Sequence, residues 1–122
     1  MKATGGCLCG AVRYEIDGEA LFMGFCHCRD CQKATGAGHA PGMSFRRRSV
    51  RISGETRTFA VIGSSGRPMP RHFCPACGSS LFGRSGDYFS FYLSARRALA
   101  KVVTISRSTA QTPSCAVSTI RR

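Results

Sequence analysis

The sequence has no apolar run that approaches the roughly 18 residues needed for a membrane-spanning helix. Residues 1–6 also lack the apolar stretch of a secretory signal peptide. No P-loop, dinucleotide-binding fingerprint or Ser/His/Asp constellation is present. These absences predict a cytoplasmic protein with no membrane partner, and they speak against nucleotide-dependent enzymes and serine hydrolases. A length of 122 residues predicts one domain with one core.

Acidic side chains are scarce, since six Asp and Glu stand against 18 Lys and Arg and the formal net charge is +12. Such an excess makes nucleic acid a candidate partner. The excess is uneven, because no acidic residue follows Asp87 and half of the net charge lies in residues 93–122. The chain therefore divides into a domain over residues 1–92 and an atypical basic tail over residues 93–122. The three arginines at 46–48 can grip an anion, although such a run usually forms a solvated surface.

Cysteine, in contrast, is abundant, and seven of the eight cysteines fall into three clusters. In a reducing compartment, such close spacing indicates metal binding rather than a disulfide framework. Seven thiols suggest one site with four ligands and one with three, and so two zinc ions per chain. A redox sensor built on Cys7 and Cys9 is a further alternative, which requires that these thiols hold no metal. Cys115 lies alone in the tail and is expected to be an unpaired thiol.

Alternating apolar residues and turn formers predict a mainly β fold with one short helix. Val12, Tyr14 and Ile16 alternate with charged residues, as in a half-buried strand. Several similar runs follow, which gives six to eight strands in all, and residues 63–66 suit the turn of a hairpin. Residues 28–35 suit a helix that Gly36 can end in a left-handed conformation. Asp30 is expected to cap this helix or to orient a ligand.

The first and last cysteine pairs have the spacing of zinc ligands. Residues two apart on an extended segment point to the same side, so Cys7 and Cys9 can share one metal ion. Cys74 and Cys77 bracket a Pro-Ala turn that is followed by Gly78, as in a zinc knuckle. We expect these four thiols to form a closed, structural zinc site. A competing assignment pairs Cys74 and Cys77 with Cys28 and Cys31 as a zinc ribbon, which leaves Cys7, Cys9 and Cys26 without a site.

The central cluster has three thiols, at Cys26, Cys28 and Cys31, and is the expected place for chemistry. Three protein ligands leave a zinc ion with an open position for water or an exogenous thiol. The alternative is a closed site whose fourth ligand is a histidine. The candidates for that ligand are His27, His39 and His72. Arg71, three residues before Cys74, is expected to be either a charge partner of the thiolates or an exposed strand residue.

Three segments resemble the glutathione-dependent formaldehyde-activating enzyme (GFA) family, which includes the centromere protein V domain. They are residues 6–14 (GCLCGAVRY), 26–36 (CHCRDCQKATG) and 71–79 (RHFCPACGS). The resemblance covers roughly residues 3–92 and implies an Mss4-like, β-tent fold. It implies that the outer four cysteines bind a structural zinc and that Cys26, Cys28 and Cys31 bind a catalytic one. The implied activity is that of a carbon–sulfur lyase acting on the adduct of glutathione and formaldehyde or on a related thiol adduct.

The last quarter of the chain departs from the family pattern. Members continue after the strand at residues 88–92 with a small-Leu-Asp step and later a strand with aromatic residues, whereas this sequence has no acidic residue there and no tryptophan. Residues 93–122 are therefore expected to be either out of frame or disordered. The basic charge also leaves open a non-catalytic zinc module that binds nucleic acid or protein.

Overall fold

A computed structural model describes residues 2–63, residues 65–92 and the backbone of residues 117–119. These ranges contain ten strands, one α-helix and a turn of 3-10 helix. The strands are β1 (Lys2–Gly6), β2 (Arg13–Asp17), β3 (Phe22–Cys26), β4 (Ala40–Arg46), β5 (Val50–Ser53), β6 (Arg57–Ile62), β7 (Pro68–Phe73), β8 (Ser80–Ser85), β9 (Tyr88–Phe91) and β10 (Val117–Thr119). Helix α1 spans Arg29–Thr35, and the 3-10 turn spans Arg47–Ser49.

The strands form two antiparallel sheets. A three-stranded sheet has the order β1-β2-β5, and a seven-stranded sheet has the order β10-β3-β4-β9-β8-β7-β6. The mainly β fold with one short helix is confirmed, as is the hairpin turn between β6 and β7. The predicted number of strands was too low, because β1 and β10 were not expected. Among the described residues, no helix has the length and apolarity needed to cross a membrane.

The core lies between the two sheets. Alternation along β2 buries Tyr14 and Ile16, and the ring of Tyr14 contacts Phe91 of β9 with centroids 4.6 Å apart. Phe91 is fully buried together with Phe45 of β4, and Phe82 of β8 is nearly so. The large side chains of the seven-stranded sheet thus project from the face that packs on β2.

The opposite side of the larger sheet carries small residues in its middle strands, between Arg71 of β7 and Phe22 of β3. Strand register places Arg71 beside Gly83, Gly83 beside Ser90, Ser90 beside Ser44, and Ser44 beside Phe22. Since side chains two apart on a strand share a face, Cys26 at the end of β3 lies on the same side as Phe22. Cys26 and Arg71 therefore lie on the same face of the sheet, on β3 and β7, with three strands between them.

Helix α1 begins and ends on specific side-chain and backbone features. The Cys28 Sγ accepts a hydrogen bond from the Cys31 N–H at 3.4 Å, so Cys28 is the N-cap. Gly36 ends the helix with φ of 68°, as predicted. Asp30 lies within the first turn rather than at the cap position, which corrects the expectation that it caps the helix.

Most of the tail, including Cys115, lies outside the described residues. Val117–Thr119 is the described exception, and it pairs antiparallel with Gly24–Cys26 of β3. The boundary at residue 92, an out-of-frame tail and a disordered tail stay predictions.

Candidate metal centres

Four thiols from opposite ends of the domain come together in one cluster, which we call the four-thiol centre. Its members are Cys7, Cys9, Cys74 and Cys77, whose sulfur atoms all lie within 4.8 Å of one another. The Cys9 sulfur lies 3.5 Å from that of Cys7 and 3.7 Å from that of Cys74. Four thiolates bound tetrahedrally at about 2.3 Å would have sulfurs roughly 3.8 Å apart, so the geometry fits a zinc-like ion.

Two tight turns aim these sulfurs at one point. In the first, the Cys7 N–H donates to the Val12 carbonyl oxygen at 3.0 Å, and the Val12 N–H donates back to the Cys7 Sγ at 3.2 Å. In the second, the Gly78 N–H donates to the Cys74 carbonyl oxygen at 2.9 Å. Gly78 has φ of 73°, a left-handed conformation that favours glycine.

Ser79 joins the two turns, and sequence reasoning did not single it out. Its hydroxyl accepts a hydrogen bond from the Leu8 N–H at 3.1 Å and lies 3.2 Å from the Cys77 Sγ. The hydrogen bond from Ser79, with backbone bonds from Cys9 and Ser79, lowers the pKa of Cys77 to about 5. The signal was present in the sequence as a hydroxyl two residues after a candidate ligand.

Charge crowding acts in the other direction on Cys9. A backbone hydrogen bond from Ala11 lowers the pKa of Cys9, but the neighbouring thiols of Cys7 and Cys77 outweigh it and raise that pKa to about 11. Four sulfurs this close cannot all carry negative charge without a nearby cation. A divalent ion would supply that charge, so the donor set and its electrostatics both fit a metal.

The second cluster is the three-thiol centre, formed by Cys26, Cys28 and Cys31, whose sulfurs also lie within 4.8 Å of one another. Cys26 ends β3, Cys28 caps helix α1, and Cys31 lies in the first turn of that helix. The two clusters are separate, so the described chain does not form the zinc ribbon considered from the sequence. The seven cysteines of the two clusters are free thiols.

In the described part of the chain, no histidine nitrogen groups with the three-thiol centre. His72 stacks on Phe82 with ring centroids 4.5 Å apart, and its Nδ1 lies 3.1 Å from the Thr56 hydroxyl. His27 and His39 contact each other, with ring centroids 5.5 Å apart. The geometry therefore favours three protein ligands over a closed site with histidine.

Arg71 is the charge partner of the three-thiol centre, which settles the alternatives that the sequence left open. Its Nη2 donates to the Cys31 Sγ at 3.7 Å, and its Nη1 donates to the Tyr92 hydroxyl. Burial raises the pKa of Tyr92, so the phenol keeps its proton and stays an acceptor. Burial raises the pKa of Cys31 to about 12, although the bond from Arg71 opposes this shift. Tyr92 was missed because only the folded sheet brings it to Arg71.

A cavity of about 370 Å³ opens beside the three-thiol centre. Strands β3, β4, β7, β8 and β9 contribute to its wall, and Cys26 and Cys31 lie at one end together with Arg71 and Tyr92. By contrast, the three arginines at 46–48 are exposed at the end of β4 and in the 3-10 turn. They take no part in either thiol cluster.

The described residues thus define a small, mainly β protein with two thiol clusters that can each hold a metal ion, one of them at the end of a cavity. The family model described as "Glutathione-dependent formaldehyde-activating enzyme" matches residues 2–114. The chain belongs to this family. The match includes part of the predicted tail.

A curated relative supports the same membership. The protein of Halomonas elongata named "Putative glutathione-dependent formaldehyde-activating enzyme" is 33% identical over 87 residues. The aligned part covers 67% of this chain and 55% of the relative, so the chain spans about half the length of that protein.

Proposed function

We propose that the chain binds two zinc ions, a structural one in the four-thiol centre and a catalytic one in the three-thiol centre. Thiolates are ligands that zinc prefers, and four of them make a closed site whose binding energy stabilises the fold. Three ligands leave one position open. The grouping of the cysteines into one set of four and one of three supports this division. The free thiols of these cysteines agree with the cytoplasmic location that we propose.

We further propose that the three-thiol centre acts as a carbon–sulfur lyase, which forms or cleaves the adduct of glutathione and formaldehyde or a related thiol adduct. The single observation that carries this proposal is a three-thiol cluster at the end of a cavity, with a guanidinium directed at one of its sulfurs. A bound zinc ion would supply an open position at which a thiol loses its proton near neutral pH. Cys26, Cys28 and Cys31 would hold the ion.

The protein's own side chains would do the rest of the work. Three thiolates and one divalent ion carry one net negative charge, and the thiolate of the substrate would add another. Arg71, which donates to Cys31, offsets this charge and favours the approach of a thiolate. Tyr92 accepts from the other guanidinium nitrogen and so fixes the orientation of Arg71. The largely apolar wall of the cavity would limit the access of water to the reacting sulfur.

Native mass spectrometry of the full chain, with and without glutathione, together with a formaldehyde-consumption assay, tests the function. We expect two zinc ions per chain, a glutathione adduct and faster formation of S-hydroxymethylglutathione than in buffer. One tightly held zinc with no adduct and no acceleration would identify a structural module and overturn the proposal.

The contribution of Arg71 can be measured separately from metal binding. We expect Arg71→Met to weaken glutathione binding by about 10- to 100-fold, because the cation that offsets the negative charge of the thiolates is lost. Zinc content should stay at two per chain, since Arg71 offers no metal ligand. Arg71→Lys keeps the charge and should recover part of the affinity. Isothermal titration calorimetry gives the affinities, and equal affinity in all three proteins would contradict this role.

Acid should release zinc from the three-thiol centre before the four-thiol centre. The pKa of the Cys31 thiol is raised to about 12, so zinc must displace its proton at any pH below that value, and binding weakens as pH falls. In the four-thiol centre the pKa of Cys77 is lowered to about 5 and that of Cys9 is raised to about 11, so both centres contain a thiol that acid protonates readily. The four-thiol centre should nevertheless hold its ion to lower pH, because four thiolates bind it instead of three. Native mass spectrometry between about pH 8 and about pH 4 should show a one-zinc species first. Simultaneous loss of both ions would contradict the ordering.

A second candidate is a non-catalytic zinc module that binds nucleic acid or protein, and the net charge of +12 favours it. DNA affinity that falls steeply with salt, without any saturable glutathione binding, would support this candidate.

A further inference from the structure

The cavity beside the three-thiol centre is larger than a one-carbon substrate needs. Its volume of about 370 Å³ lies in the range of pockets that bind whole small molecules. A water molecule takes up about 30 Å³ in the liquid, and a one-carbon aldehyde is only somewhat larger. Formaldehyde would therefore leave most of the cavity without a ligand.

The wall of the cavity has few charged side chains, which disfavours the binding of a polar ligand. Arg71 is the one lining residue, among those the structure describes, with a cationic or carboxylate side chain, and it lies at the thiol end. The hydroxyls of Ser44 and Ser90 form a hydrogen bond with each other, with their oxygens 2.8 Å apart. Phe22, Met69 and Pro70 supply apolar surface elsewhere in the wall. A polar ligand would lose its hydration here without replacement, whereas an apolar chain would gain free energy by leaving water.

The space itself comes from glycines that packing within the protein does not require. A Cβ added to Gly42 would meet nothing closer than the Gly24 carbonyl oxygen at 3.9 Å, and one on Gly83 nothing closer than the Pro70 carbonyl oxygen at 3.7 Å. Both are ordinary contacts, and neither glycine has a positive φ. Glycine disfavours strand structure, so its presence in β4 and β8 has a cost in stability that a side chain would remove. What the missing side chains leave open is the cavity.

We propose that the cavity receives the apolar chain of a multi-carbon aldehyde, and that the protein forms or cleaves thiol adducts of such aldehydes in preference to those of formaldehyde. This inference rests on the proposed carbon–sulfur chemistry and names its substrate class. The reacting sulfur and carbonyl group lie at the end formed by Cys26, Cys31, Arg71 and Tyr92. The chain extends over Gly42 and Gly83.

The reaction balances without any further reagent. The thiol sulfur forms a bond to the aldehyde carbon, and the carbonyl double bond becomes a single carbon–oxygen bond. The proton of the thiol ends on that oxygen, which gives a hemithioacetal. Cleavage is the reverse of these steps, and nothing is oxidised or reduced.

The test compares the zinc-loaded wild-type protein with Gly42→Val, which places an isopropyl group in the cavity. Valine suits a strand interior better than glycine, so the melting temperature and zinc content of Gly42→Val should not fall. Gly38→Val is the matched control, because a Cβ at Gly38 meets nothing within 4 Å and this residue does not line the cavity. Exchange NMR measures adduct formation between glutathione and either hexanal or formaldehyde. A second readout, which needs no reaction, is the NMR-detected binding of 1-hexanol.

Each buried methylene is worth about fourfold in affinity, so we expect the wild-type protein to prefer hexanal over formaldehyde by at least about 30-fold. Gly42→Val should lose this preference and the binding of hexanol, whereas Gly38→Val should keep both. Preference for formaldehyde, with no binding of hexanol, would overturn the inference and leave the carbon–sulfur chemistry standing. Binding of hexanol that depends on Gly42, without acceleration of either aldehyde, would support the apolar site and overturn the proposed reaction.

Discussion

Replacing Cys74 by serine is expected to abolish cooperative folding of the domain. Cys74 is fully buried, and its sulfur belongs to the four-thiol centre that ties the β1–β2 turn to the turn after β7. Structural zinc contributes on the order of 10 kcal/mol in small zinc domains, whereas a whole domain is stable by only about 5–15 kcal/mol. A zinc ion bound there would therefore supply most or all of the net stability, and Cys74→Ser would remove it.

Circular dichroism during urea titration, with zinc content measured on the same samples, checks this expectation. The wild-type protein should show one cooperative transition, and Cys74→Ser should show none, even with added zinc. Cys115→Ser is the control, because Cys115 is the one cysteine that lies outside the three cysteine motifs of the sequence. A Cys74→Ser protein with a wild-type transition would mean that the four-thiol centre does not stabilise the fold.

The sequence predicted correctly those elements whose formation depends on residues close together in the chain. The residues of helix α1, its end at Gly36 and the hairpin between β6 and β7 all follow from residues within one or two turns of each other. Strand β1 shows the limit of such reasoning, since a run of Lys, Ala, Thr and two glycines has low strand propensity. The strand forms because β2 pairs with it, and the ring of Tyr14 fills the space where Gly5 has no side chain.

The candidate site divides in the same way. Spacing alone grouped the cysteines as the structure groups them, because metal-binding thiols come in short local motifs. Arg71 and Tyr92 are far apart in sequence from Cys31, and only the register of β7, β8 and β9 brings them to it. The cavity could not be predicted from the sequence. Its open space lies where Gly42 and Gly83, on two different strands, have no side chains.

Replacing Cys28 by serine is expected to abolish activity while leaving the fold intact. Cys28 caps helix α1 through its sulfur, and serine is among the best N-cap residues, so the hydroxyl can take over that hydrogen bond. The substitution removes a thiolate from the three-thiol centre without touching the four-thiol centre. Cys28→Ser therefore removes a metal ligand of the three-thiol centre while it keeps the hydrogen bond that begins the helix.

We expect Cys28→Ser to carry one zinc ion instead of two, to lose the glutathione adduct and to lose activity by at least about 10³-fold, because two thiolates hold zinc poorly and open no productive position. Its urea transition should match that of the wild-type protein. Cys31→Ser tests the same centre from inside the helix and should behave alike. If Cys28→Ser kept both zinc ions and full turnover, the catalytic centre would have to lie elsewhere. If it lost both ions and unfolded, the two centres would not be independent, and the division into a structural and a catalytic zinc would fail.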